Sequence, residues 1–141
     1  EIIVTVWTKS SSPELSLDDE VFMVDVMGEL DALFELASVA FVGGSLVPNG
    51  GHNLLEAVRA GTPTVMGGHL DNIEDIAQQF VDSQAIMIVR DAQELQEVVI
   101  NLMENIDESN RLVSAANKVM DSNRGAMARV EELIVQVMNR G

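Results

Sequence analysis

Residues 41–68 read FVGGSLVPNGGHNLLEAVRAGTPTVMGG. Just before and into this stretch, residues 39–42 (VAFV) form a short apolar run that ends at Gly43-Gly44. A loop covers 45–51. Helical spacing then runs from about residue 52 to 60 and is stopped by Gly61. Residues 62–66 (TPTVM) read as the next strand. Strand, glycine loop, helix and strand in that order is the repeat of a parallel α/β sheet.

The same alternation extends both ways. Upstream, residues 2–7 (IIVTVW) and 21–26 (VFMVDV) are β-branched and read as strands, with a Ser-, Pro- and Asp-rich loop at 9–20 between them. Residues 28–37 carry Leu30, Leu33, Phe34 and Leu36 at helical spacing. Downstream, 71–81 reads as a helix and 85–89 (AIMIV) as a strand, and Asp91 has the character of a helix N-cap. From Asp107 the pattern is helical to the end. One break is expected at 122–125, and this tail is expected to pack across the sheet. The strands are near-continuous apolar runs, as in a sheet covered on both faces. The expected fold class is therefore α/β, a Rossmann-like parallel sheet with flanking helices.

Composition narrows the function. The chain has 141 residues, 47% of them hydrophobic, which suits one globular domain or part of one. Acidic residues number 23 against 8 basic ones, a formal net charge of −15. That balance argues against nucleic acid as a partner and against a polybasic membrane patch, because both need clustered Lys and Arg. With no cysteine, disulfide scaffolds, cysteine zinc sites and thiol catalysis are excluded. Tyrosine is absent and Trp7 is the one tryptophan, so no platform for stacking bases is expected. His52 and His69 lack metal-ligand spacing, so no metal is expected. No segment approaches the roughly 18–20 apolar residues that span a bilayer. The chain opens on Glu1 almost directly in an apolar run, which reads as a fragment.

The chemistry is expected around the two glycine pairs. Loops at the carboxyl ends of parallel strands form the ligand crevice, and glycines there let backbone approach a ligand. A helix starting after Gly50-Gly51 would point amides and its positive dipole end at a phosphate. The pattern is neither GxGxxG nor a Walker A loop, and no lysine stands beside it. Glu56, three residues after Asn53 and four after His52, shares a helix face with both and could accept hydrogen bonds from a ribose diol. Gly28 and Glu29 occupy a second strand-to-helix junction. Spacing alone leaves ordinary turn chemistry open at both places, with Glu29 and Glu56 as first-turn acids.

Taken together, FVGGSLVPNGGHNLLE, MGEL upstream and GTP downstream resemble the 3-deoxy-D-manno-octulosonic acid (Kdo) transferases. The resemblance runs from about residue 25 to 68 and more weakly to the NRGA stretch at 123–126. It implies the C-terminal half of a two-domain GT-B fold, with residues 1–141 forming part of the CMP-Kdo binding domain. The implied activity is inverting transfer of Kdo from CMP-Kdo to the lipid A precursor, in lipopolysaccharide synthesis at the cytoplasmic face of the inner membrane. Neither a metal nor a cofactor is implied. The catalytic base is expected in the N-terminal half, so no catalytic residue is expected here.

By the same resemblance, Gly43, Gly44 and Ser45 line the donor cleft, and Gly50, Gly51, His52 and Asn53 form the loop and helix start near the phosphate. Glu56 contacts the ribose, and Gly28 and Glu29 belong to the opposite wall. The sequence departs from the family pattern at Ala57 (usually Pro), at Gly67-Gly68 (usually Gly-Pro) and at Ile73 (usually aromatic). Two alternatives stand beside this reading: a sugar-nucleotide epimerase of the same architecture using UDP, and a non-catalytic α/β interaction module. The family's sheet order, 3-2-1-4-5-6, makes 21–26 the third strand. It leads to the expectation that strands one and two precede residue 1. Open sheet edges would then favour strand exchange in a homodimer.

Overall fold

A computed structural model describes residues 4–8, 21–48, 51–70 and 74–138. The elements alternate as β1 (Val4–Thr8), β2 (Val21–Asp25), α1 (Leu30–Leu36), β3 (Ala40–Val42), α2 (Leu55–Arg59), β4 (Thr64–Gly67), α3 (Glu74–Asp82), β5 (Met87–Val89), α4 (Ala92–Glu104) and α5 (Ile106–Met138). All strand pairs are parallel, in two sheets ordered β1-β2 and β3-β4-β5. The α/β expectation holds. The loop expected at 9–20 lies outside the described residues.

The three-stranded sheet is the centre of the molecule. β4 lies between its two neighbours and is buried at all four positions. Its alternating side chains enter two cores. Met66 joins Val42, Leu54, Val58, Phe80 and Ile86, whereas Val65 joins Val89, Leu102 and Leu112. Helix α5 serves both, with Leu112 in the second core and Ala116 and Val119 in the first, so the tail does pack across the sheet.

The outer sheet is less covered. β2 alternates exposed and half-buried positions, and Val6, Val21 and Met23 remain largely open to solvent. β1 pairs with β2 in the register Val4↔Val21 to Thr8↔Asp25. This revises the expected strand count: β1 itself occupies the place beside β2 that the family order gives to strand two. Among the described residues, the β1 edge away from β2 and the β3 edge away from β4 carry no partner strand.

Helix boundaries follow local chemistry. Asp91 caps α4 as expected, its Oδ1 accepting from the Glu94 N–H at 2.9 Å. Glu94 in turn accepts from both the Arg90 N–H and its guanidinium. The guanidinium bond first, then the backbone bond, holds the Glu94 carboxyl below its ordinary range. Gly61, at φ +77°, ends α2 as expected, with the Thr62 N–H returning to the Ala57 carbonyl at 3.1 Å.

The expected break at 122–125 is absent, because α5 is continuous from Ile106 to Met138. The break falls instead at Asn105, whose Oδ1 accepts from the Glu108 N–H at 3.1 Å and opens α5. A glycine inside a helix costs about 1 kcal/mol, too little to interrupt one anchored by buried Leu112, Ala116 and Val119.

Candidate functional site

The loop after β3 folds back on itself. The Gly51 N–H donates to the Gly44 carbonyl and the His52 N–H to the Gly43 carbonyl, each at 3.2 Å. Gly44 (φ +77°) and Gly51 (φ +65°) both adopt the left-handed backbone that favours glycine. A Cβ on Gly44 would stand 3.3 Å from the His52 ring, so the imidazole covers that glycine. Gly50 lies outside the described residues.

Ser45 fastens this loop to the sheet. Fully buried, its hydroxyl donates to the Val42 carbonyl at 2.6 Å and accepts from the Gly67 N–H at 2.8 Å. Its own carbonyl accepts from the His69 N–H at 2.9 Å. The hydroxyl is thus engaged within the fold, and Ser45 shapes the loop rather than offering a polar group to the surface. Gly67 is the other half of the joint: a Cβ there would overlap the Ser45 carbonyl.

These bonds change what the helix start can offer an anion. Helix α2 begins at Leu55, three residues later than expected, and has five residues. The Gly51 and His52 amides are already used, and the Leu55 N–H donates to Asn53 Oδ1 at 3.0 Å. The expected row of free amides at 51–53 is therefore largely satisfied internally. What remains is the Asn53 and Leu54 N–H groups, without partners among the described residues, beside the exposed side chains of His52 and Asn53.

A cavity of about 450 Å³ opens at the carboxyl end of β2. Val24, Val26, Met27, Leu30 and Leu33 give it an apolar lining, and Gly28, Asp31 and Glu56 complete it. Glu56 is half-buried here rather than turned into bulk water. The structure thus brings together two of the expected residues, Gly28 and Glu56, from different elements. Gly28 takes φ +94°, as the sharp entry into α1 requires. Glu29 sits at the N-cap position of α1, its side chain makes no capping bond, and it is not on the lining. Of the described residues from Gly43 to Asn53, none lines this cavity either. They reach it through α2, whose first turn carries Glu56.

Sequence reading missed Asp31 and the valines. Asp31 Oδ2 accepts from Arg59 at 2.6 Å, which ties α1 to α2 across the cavity rim. The available signal was an acid in the first turn of α1, a feature too common to single out.

A larger cleft of about 630 Å³ lies between α3 and α5, lined by Asp82, Ser83, Arg111 and Lys118 among others. It sits where α3 hands over to β5, at the amino end of the strand. Ligand crevices of parallel sheets lie at the carboxyl ends, so the smaller cavity is the better site. Among the described residues, no group of three or more His, Asp or Glu could hold a metal ion, and no helix is long and apolar enough to cross a membrane.

Most of the chain is similar to known proteins. The family model "Glycosyl transferases group 1" matches residues 6–119. A 3-deoxy-D-manno-octulosonic acid transferase of Haemophilus influenzae is 35% identical over 122 residues, 86% of this chain and 29% of that protein. The enzyme of the same description from Bordetella pertussis is 32% identical over 110 residues, covering 78% of this chain and 26% of the relative. The chain therefore spans less than a third of the length of these curated relatives. Among solved structures, the C-terminal CMP-Kdo binding domain of WaaA from Acinetobacter baumannii superposes with a TM-score of 0.79 at 34% identity, covering 84% of this chain and 61% of that one.

Proposed function

Since the chain belongs to the group 1 glycosyl transferases, we propose that it is the donor-binding part of a Kdo transferase, residues 1–141 forming part of its C-terminal half. The donor is CMP-Kdo and the acceptor, held by the other half, is the lipid A precursor. The reading rests on one observation above all. Glu56, on the helix after the GGHN loop, lines the same cavity as Gly28 at the carboxyl end of a parallel strand.

In this reading the apolar lining receives the base and the Glu56 carboxylate accepts from the ribose hydroxyls. The phosphate lies toward the Asn53 and Leu54 amides and the His52 and Asn53 side chains. Fixed donors at that place would stabilise the charge that gathers on CMP as the bond to Kdo breaks. The catalytic base belongs to the other half, no cofactor takes part, and the full-length enzyme works at the cytoplasmic face of the inner membrane.

Titration calorimetry on the full-length protein tests this. CMP is expected to bind and to raise the melting midpoint, and UDP is expected to do neither. Binding of UDP in preference to CMP would move the assignment to a sugar-nucleotide epimerase, and binding of neither would reject a nucleotide site. The unpartnered edges of β1 and β3 further support strand exchange between two copies of the present chain. Light scattering at high concentration is expected to give a dimer mass; a monodisperse monomer would refute the exchange.

A further inference from the structure

We propose that Arg59 masks the charge of Asp31 and thereby fits the cavity to an anionic ligand. The inference rests on the donor-site reading above and assigns a specificity-determining role to a pair outside the glycine motifs.

Two carboxylates, Asp31 and Glu56, line one cavity in a chain of net charge −15. A cavity of this size is roughly 10 Å across, no wider than the ~10 Å screening length at 0.1 M salt. A phosphate in or beside the cavity therefore feels both acids. Glu56 has a use, since a ribose diol donates to a carboxylate. Asp31 has none on an anionic ligand unless its charge is offset. Arg59 supplies that offset: it lies one turn beyond Glu56 on α2, and its guanidinium reaches across the rim to Asp31 Oδ2 at 2.6 Å. The side chains are 56% and 59% exposed, so the pair adds little to stability and its effect is felt chiefly by what enters the cavity. A second tie to α1 does not involve charge: Thr62 Oγ1, in the segment between α2 and β4, donates to the Phe34 carbonyl at 2.6 Å. Removing Arg59 thus leaves α1 attached.

The test compares CMP with uncharged cytidine on the full-length protein by competition calorimetry. Arg59→Ala is expected to weaken CMP about threefold to tenfold, as one exposed carboxylate acting at this range would, and to leave cytidine unchanged. Adding Asp31→Asn to Arg59→Ala is expected to restore CMP affinity, because the unmasked charge is then gone. If Arg59→Ala weakens CMP and cytidine equally, the pair is a mechanical clamp and the proposal is overturned. Unchanged CMP affinity overturns it as well. Failure of the unaltered protein to bind CMP at all would instead remove the donor-site reading beneath it.

Discussion

Gly67→Ala is expected to lower stability by about 3–5 kcal/mol, the range reserved for changes that a fold cannot absorb. The new methyl group would overlap the Ser45 carbonyl, which is backbone and cannot rotate away. Relief requires the 43–48 turn to lift off the end of β4. That movement breaks the bond from Gly67 N to Ser45 Oγ and the bond from His69 N to the Ser45 carbonyl, at 2.8 and 2.9 Å. Overpacking alone costs about 1–3 kcal/mol, and each buried group left unpaired adds about 1–3 kcal/mol. Against a total stability of about 5–15 kcal/mol, thermal unfolding should show a fall of about 10 °C or more. Gly68→Ala is the control. A Cβ at Gly68 meets nothing within 4 Å, so its midpoint should stay near that of the unaltered protein. Equal melting of the two variants would refute the joint described here.

Loss of the Glu56 carboxylate is expected to weaken CMP by about 10- to 100-fold, the equivalent of a charged hydrogen bond worth about 1.5–3 kcal/mol. In Glu56→Ala the half-buried cavity wall keeps its shape, since Ala57, Val58 and Leu54 anchor α2 in the core. The deficit should therefore appear in affinity and leave the melting midpoint of the free protein nearly unmoved. The ligand side offers an independent check. 2′,3′-Dideoxy-CMP should bind the unaltered protein about as weakly as CMP binds the variant, and should be indifferent to the substitution. An additive loss from both changes would show that Glu56 and the ribose hydroxyls do not meet.

Much of this architecture was legible in the sequence because its signals are local. Short β-branched or apolar runs marked all five strands, Gly61 marked the end of α2, and Asp91 marked the start of α4. The misreadings share a different cause. Residues 52–54 carry helical spacing, yet Gly51 and His52 are held by carbonyls seven and nine residues back, a pairing no local pattern displays. Residues 122–125 carry the composition of a break, but α5 is continuous there, held by packing in its preceding turns. Ser45 and Gly67 are 22 positions apart, so their joint was invisible until the fold put them in contact. Glu56 could be singled out because its motif is compact, and it does line the cavity. Asp31 escaped because its meaning depends on an arginine 28 residues away.

The cavity's two sides are not equally firm. Glu56 rides on a helix rooted in the deepest part of the molecule, whereas the opposite side belongs to α1, which has no fully buried residue, and to a strand that alternates exposed and half-buried positions. A molecule seated between them would act as a suture, joining a rigid bank to a compliant one. Part of its intrinsic attraction would then be consumed in quieting the softer bank, which makes occupancy and local order two readings of the same equilibrium.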